Sequence, residues 1–421
     1  MTYEFQYLMH LLGAVSMGKA AQPPEKELNW ENVFSLAGEQ MIKPLIGYAL
    51  KENPSIGYPE DKAKALIRDS LSAVITESAR RSAIITLLGE LEKNGIHSFT
   101  VKGFAVASDY ALPEARISAD TDICISPDDE EKAMAFFESC GFNVERRWLN
   151  GHHFAAHHPV MGLIEVHIKL YDEIVEDVWF AAVDADSLIC QPHKKVHTID
   201  GDYFTLGETD HLIFIILHMI KHFILCGMSL RMMTDVALFI SAKKDEIDFE
   251  RVYSVMKELN YDVFLLTVMR AMQRYSGFDV SCFEELENVE DEKVEMLLTD
   301  LETGGWLGKN NLNERKDGWR EYSRQIMLRR KSKISYWSYM FRWRSGLGIK
   351  SLFPPKNRLL GDYPCLNRFP WLLPLVWLHR ILFKGFAKGK KNKEDIIHNE
   401  NDISAESKRR VEMFRSLGIL Q

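Results

Sequence analysis

A single change of period constrains this chain most. From Pro59-Glu60-Asp61, the apolar residues Ala65, Ile67, Leu71, Val74, Ile75, Ala79, Ile84, Leu87, Leu88 and Leu91 recur at helical spacing as far as Lys93. Asn94-Gly95 stops the pattern, with Gly95 placed as a left-handed cap. Beyond it the period falls to two, and residues 96–101, 121–125, 142–148, 153–157 and 163–168 each read as a short strand. Residues 104–110 read as helical. Pro127-Asp128-Asp129-Glu130 opens a further helix, with acids in the turn where the dipole favours them, and this helix runs to Cys140-Gly141. After Leu206 the helical period returns. Leu212, Ile215, Ile216, Met219, Ile220 and Phe223 form one apolar face, and Asp235, Ala237 and Leu238 sit on the next helix. This order predicts an α+β protein with a small mixed-sheet core flanked by N-terminal and C-terminal helical regions. The expected divisions are a helical region 1–94, an α+β core 95–206, a helical region 207–300 completing a cleft, a basic aromatic helical region 301–385 and a polar tail 386–421.

The remaining sequence narrows the class. With 421 residues and a 46% hydrophobic fraction, the chain supports two or three units and is not largely disordered. Fifty-two Lys and Arg against sixty Asp and Glu argue against bulk nucleic-acid binding. Six scattered cysteines with no CxxC pair read as reduced thiols, which points to a cytoplasmic setting. The apolar stretch Tyr7 to Met17 lacks a preceding basic segment and reads as an amphipathic helix, not a signal peptide. Asn29-Trp30-Glu31 caps a helix whose apolar face is Val33, Leu36, Ala37, Met41, Leu45 and Ile46. Charged and proline residues interrupt the apolar runs 211–228 and 370–383, so no membrane-spanning helix is expected. Trp319 to Lys350 is basic and aromatic, and Trp371-Leu372-Leu373 and Val376-Trp377-Leu378 follow it. Residues 319–383 therefore read in two ways. One is peripheral contact with the inner membrane surface, a lipid-linked saccharide or nucleic acid; the other is a helix whose Arg stems cover apolar surface.

The chemistry concentrates between Val101 and Ile123. Residues two apart on a strand share a face, so Asp120 and Asp122 point the same way with Cα atoms ~6.6 Å apart, while Thr121, Ile123 and Ile125 pack behind. Adjacent carboxylates in a dry site repel unless a cation lies between them. Mg²⁺ takes such oxygen ligands, and one carboxylate can bridge two ions ~3.5–4 Å apart, as in-line phosphoryl displacement requires. Glu165 is the candidate third acid, because among Ile164, Val166 and Ile168 a carboxylate without a partner is costly. His167 shares its face and would orient a ligand or phosphate. A bare DxD pair is also common as a solvated strand edge. Here a preceding strand leads into Lys102-Gly103 and a later strand carries an acid. His218 and His222 share a helix face, with His211 on a similar face. They read either as lining a substrate cleft or as buried rings bonded to carboxylates such as Asp235. Arg231 and Asp235, also four apart, read as a mutual pair or as cleft residues. His152-His153 and His157-His158 read as polar residues flanking a hairpin rather than as a zinc cluster.

With these residues the chain resembles an uncharacterised nucleotidyltransferase family often found in bacterial polysaccharide-biosynthesis clusters, within the polymerase-beta-like superfamily. The resemblance rests on Val101-Lys102-Gly103, Tyr110 with Pro113, Arg116, Asp120-Thr121-Asp122-Ile123, Glu165-Val166-His167, His218 with His222, and Arg231 with Asp235. Weaker likeness continues through Tyr363-Pro364, Pro374 and Trp377-Leu378-His379-Arg380. It implies a nucleotidyltransferase core in which Asp120, Asp122 and Glu165 hold two Mg²⁺ ions. An NTP would be the substrate, an NMP group would pass to an unidentified acceptor (a sugar, a polymer or a protein), and pyrophosphate would leave. Lys102, Gly103, Arg116, Ser118 and His167 would receive the nucleotide, with phosphate at the helix start near Gly103. Lys102-Gly103-Phe104 stands where the superfamily usually has Gly-Ser. That departure keeps open a non-catalytic binding or scaffold protein in polysaccharide assembly, beside ATP-dependent modification of a partner protein.

Overall fold

The computed structural model describes residues 1–146, 152–171, 193–225, 227–304, 363, 368–379 and 409–420. Helices α1 (Tyr3–Ser16), α2 (Trp30–Glu39), α3 (Lys43–Glu52) and α4 (Glu60–Lys93) lead into the sheet. Asn29 caps α2, its side chain accepting from the Asn32 N–H. The helix read across Val33 to Ile46 is two helices. Met41 takes a left-handed φ of 59°, and Pro44, which lacks an N–H, sits in the first turn of α3, where a proline is tolerated. Helix α1 is buried on most faces, with Phe5, Leu8, Met9, Leu11 and Leu12 inaccessible, so it is a core helix rather than an amphipathic surface one. Helix α4 ends as its sequence predicts, at Gly95 with φ 66°.

The strands are β1 (Ser98–Val101), β2 (Asp120–Ile125), β3 (Asn143–Glu145), β4 (His153–His158), β5 (Gly162–His167), β6 (Lys194–Thr198) and β7 (Gly201–Thr205). They form one mixed sheet in the order β3-β4-β5-β2-β1-β7-β6. Strand β2 runs antiparallel to β1 and parallel to β5. The β6–β7 hairpin was not read from the sequence; it extends the sheet beyond β1. Between the strands lie α5 (Lys102–Val106), followed by a 3-10 turn Ala107–Asp109, and α6 (Glu130–Ser139). One face of the sheet packs Ile123, Ile125, Ile164 and Val166 against Ile84, Leu88 and Leu91 of α4 and Phe137 of α6. Thus the alternation in β2 buries the isoleucines and leaves Asp120 and Asp122 on the opposite face.

Helices α7 (Glu208–Leu225), α8 (Leu230–Lys243), α9 (Phe249–Glu258), α10 (Asp262–Ser276) and α11 (Asp291–Gly304) follow. Helix α1 meets α10 so closely that a Cβ on Gly13 would lie 2.0 Å from the Ser276 carbonyl oxygen. Because backbone cannot swing aside, Gly13→Ala is expected to cost roughly 1–3 kcal/mol. A urea midpoint equal to that of the parent would show that the two helices part freely.

The chain divides into two compact units, Met1–Trp319 with Val411–Gln421, and Arg320–Arg410. In the second, Val376 on the helix Leu373–His379 packs with Tyr363, Leu372, Leu373 and Trp377, while Trp371 and Leu375 are exposed. The basic aromatic stretch 319–350 and the polar segment 388–407 lie outside the described residues. The last residues do not continue a polar tail. Met413, Phe414, Leu417, Ile419 and Leu420 are buried, and Phe414 meets Phe223 of α7 at 5.4 Å between ring centres, so apolar burial decides their place. Among the described residues no helix is long and apolar enough to cross a membrane. The free cysteines Cys124, Cys140 and Cys282 form no disulfide.

Candidate active site

The parallel ladder between β2 and β5 sets Asp122 opposite Glu165, and β1 ends with Val101 opposite Asp122. At that end the chain turns through Lys102, whose φ of 57° is left-handed and costs a lysine on the order of 1 kcal/mol. The turn sends the Lys102 Nζ to 2.6 Å from Asp122 Oδ1. His167 donates its Nε2–H to the same oxygen at 2.9 Å. Burial would raise the Asp122 carboxyl, but the Lys102 ammonium and the His167 hydrogen bond outweigh it and hold it well below the usual carboxylate range. Burial would likewise lower the Lys102 ammonium, and Asp122 reverses this.

Since the native Asp122 value lies below the unfolded one near 3.8, its contribution to stability is complete above about pH 4 and fades as pH falls further. Urea midpoints measured downward from about pH 5 are expected to drop, and Asp122→Asn should flatten that acid limb. An unchanged limb in the variant would assign the acid loss to other groups.

Glu165 is half-buried, with Oε2 3.6 Å from His167 Nε2 and Oε1 3.7 Å from His153 Nε2. The His167 ring holds its carboxyl below the ordinary range against that burial. One ligand atom each from Asp122, Glu165 and His167 lies within 4.8 Å of the other two. Asp120 lines the same cavity, accepting from Ser118 Oγ at 3.1 Å, and stands outside that tight cluster.

The cavity is about 390 Å³ in volume, walled by the ends of β2 and β5 and by α5, α7 and α8. It gathers the residues that the sequence assigned to metal, nucleotide and substrate: Lys102, Gly103, Arg116, Ser118, Asp120, Asp122, Glu165, His167, His218, His222, Arg231 and Asp235. Their pairing differs from expectation at several points. Asp235 acts electrostatically on Arg231 one turn away, and its hydrogen bonds reach further along the chain. It accepts from Arg116 through Nε at 3.1 Å and Nη2 at 2.5 Å, and from the Tyr110 hydroxyl at 2.7 Å. Arg231 donates to the Ile117 carbonyl at 2.7 Å. The planar guanidinium of Arg116 matches the Asp235 carboxylate with two bonds. Arg116 Nη1 is buried without a hydrogen-bond partner, and a Cβ on Gly103 would lie 2.4 Å from it. Gly103 therefore makes room for Arg116. The five-residue α5 offers little of the macrodipole that phosphate capture at its start would use.

His218 and His222 line the cavity with ring centres 4.5 Å apart. Burial pushes His222 down to about 3 and His218 well below its usual value, so both rings are neutral at pH 7. His211 does not share their face of the cavity; it lines a different one, beside Phe239.

Some residues escaped the sequence reading. Behind β2, Arg80 donates to Thr121 Oγ1 at 2.6 Å and pairs with Glu77 at 2.9 Å, bracing the strand from its far side. The i,i+3 spacing of opposite charges within an apolar helix face was the available signal. His157 and His158 lie toward the far end of β4, His158 Nδ1 accepting from the Val160 and Met161 N–H groups, as hairpin-flanking residues do. His152 and His153 do not. His153 pairs directly across the hairpin with His167, and its Nδ1 is 3.3 Å from His152 Nε2. Burial lowers His153 and pushes His152 down to about 2, leaving both rings neutral at pH 7.

A family described as an uncharacterised nucleotidyltransferase matches residues 26–277, more than half of the chain. No curated protein and no solved structure matches.

Proposed function

This chain belongs to the uncharacterised nucleotidyltransferase family, and from that premise we propose that its cavity transfers a nucleoside monophosphate from an NTP to an acceptor hydroxyl or phosphate, with pyrophosphate released. The supporting observation is the placement of Asp122 and Glu165 on neighbouring strands, with Asp120 two residues before on the same face, around one cavity. Their donor set is hard oxygen, which fits Mg²⁺. Asp120, Asp122 and Glu165 would hold the ions, two by this reading. The chemistry that bound Mg²⁺ supplies is charge neutralisation at the phosphates and at the attacking oxygen.

The chain's own residues account for the rest. Lys102, already on Asp122, brings positive charge to whatever anion adjoins that carboxylate. Its left-handed backbone aims the ammonium inward. Arg116 is held by Asp235, which Tyr110 also bonds, and its guanidinium would bring positive charge to the phosphates from the cavity wall. Ser118 orients Asp120. His218, His222 and Arg231 shape the acceptor side. Catalysis here needs position and charge more than covalent participation. The acceptor class that follows from the resemblance is a sugar or polymer of polysaccharide assembly, with a protein side chain as the alternative, in a cytoplasmic setting. Residues 319–383 would contact the inner membrane surface, which co-sedimentation with anionic liposomes tests.

A second reading has its own observation: Lys102–Asp122 and Arg116–Asp235 already neutralise each other. A charge network so closed suits a non-catalytic scaffold. Calorimetric titration with each NTP, with and without Mg²⁺, separates the two. Mg²⁺-dependent binding, with label passing from an α-labelled NTP into a cell-extract component, supports transfer. No nucleotide binding supports the scaffold.

A further inference from the structure

We propose that His152, His153 and His167 form a site for one transition-metal ion of the Zn²⁺ class, distinct in donor chemistry from the carboxylate site beside it.

The hairpin builds this site. In the antiparallel β4–β5 register His153 stands directly opposite His167, and Ala155 stands opposite Glu165. His152, the residue before β4, adds a third ring. One ring nitrogen from each of the three lies within 4.8 Å of the other two. The 3.3 Å between His153 Nδ1 and His152 Nε2 is the separation that donors ~2.0–2.1 Å from a common tetrahedral ion adopt.

The tautomers favour coordination. His167 gives its Nε2–H to Asp122, so in the neutral ring Nδ1 carries the lone pair. That nitrogen is buried in a side chain 2% exposed and has no hydrogen-bond partner. His153 likewise turns Nε2 toward Glu165 at 3.7 Å and Nδ1 toward His152. His167, with one nitrogen on a carboxylate and the other bearing a free lone pair, has the arrangement of metal-ligating histidines. Asp122 and Glu165 thus act here as orienting partners of the rings.

Three imidazoles are donors for Zn²⁺, Fe²⁺, Co²⁺ or Ni²⁺, whereas Mg²⁺ prefers an all-oxygen shell. Three protein ligands leave a fourth position for water or a substrate atom. The site goes beyond nucleotidyl transfer and stands whether or not that reading holds.

The experiment uses the full chain, stripped with a chelator and titrated with Co²⁺ in the absence of nucleotide. One equivalent should produce visible ligand-field absorption that Zn²⁺ bleaches. His152→Gln and His153→Gln, both at partly exposed positions, should each weaken Co²⁺ binding at least about tenfold. His157→Gln on the same strand should leave it unchanged. Asp120→Asn should also leave Co²⁺ binding unchanged while removing transfer, which keeps the two readings separable. Absence of ligand-field absorption at stoichiometric Co²⁺ overturns the proposal. So does a His152→Gln, His153→Gln double variant that binds as tightly as the parent, or Co²⁺ binding that depends on Asp120 instead. Co²⁺ binding of the expected kind without nucleotide transfer sinks only the transferase reading.

Discussion

Asp120→Asn is expected to lower nucleotidyl transfer by roughly 10³-fold while changing the unfolding midpoint little. Removing one metal-binding carboxylate forfeits several kcal/mol of charge stabilisation in the transition state, and each 1.36 kcal/mol is a factor of ten. Asp120 is only half-buried and its carboxylate is held by Ser118, so the fold loses little with it. Asp122→Asn should remove activity to a similar degree and also destabilise the protein by roughly 3–5 kcal/mol, because the buried Lys102 ammonium loses its counter-charge. The contrast between the two variants carries the argument. If both lost activity only in proportion to lost folded protein, the carboxylates would be structural. Wild-type label transfer by Asp120→Asn would remove the pair from the mechanism. Transfer into acceptor and urea unfolding, measured on the same preparations, decide between these outcomes.

The second large effect falls on stability. Arg116 is 5% exposed, and its guanidinium is bonded twice by Asp235, which also accepts from Tyr110. Burial alone would lower the guanidinium; Asp235 reverses the shift and keeps it charged. Asp235→Ala strands that charge and is expected to cost roughly 3–5 kcal/mol. Replacing both partners, Arg116→Met with Asp235→Leu, should recover much of the loss, because two similarly sized apolar groups leave no charge behind. A single variant within about 1 kcal/mol of the parent would mean that water or a shifted side chain solvates Arg116.

What the sequence revealed here was local. The length of α4, its stop at Gly95, the two-residue period of β2 and the apolar company of Glu165 are properties of neighbouring residues, and each survives in the fold. The choice of partner was not local. Beside Arg231 one turn away, Asp235 also binds Arg116, more than a hundred residues earlier, because tertiary packing buries those two side chains together. The break at Met41 escaped a reading based on apolar spacing, since Leu45 and Ile46 continue that spacing across a change of direction. The polar Lys194–Thr198 strand gave no alternation to follow. Counting register outward from the turn at Pro159-Val160-Met161 would have placed His153 against His167, a pairing that neither histidine shows alone.

Strands β2 and β5 each have a neighbour on both sides, whereas β3 and β6 form the borders of the sheet. The backbone beneath Asp122 and Glu165 therefore yields only when ladders on two sides unzip together. Amide hydrogens there should exchange with deuterium near the slowest rates in the molecule, through whole-sheet opening, while the borders fray first. The spacing between the acids is consequently a fixed gauge rather than an adjustable jaw, and ligands must meet it as they find it.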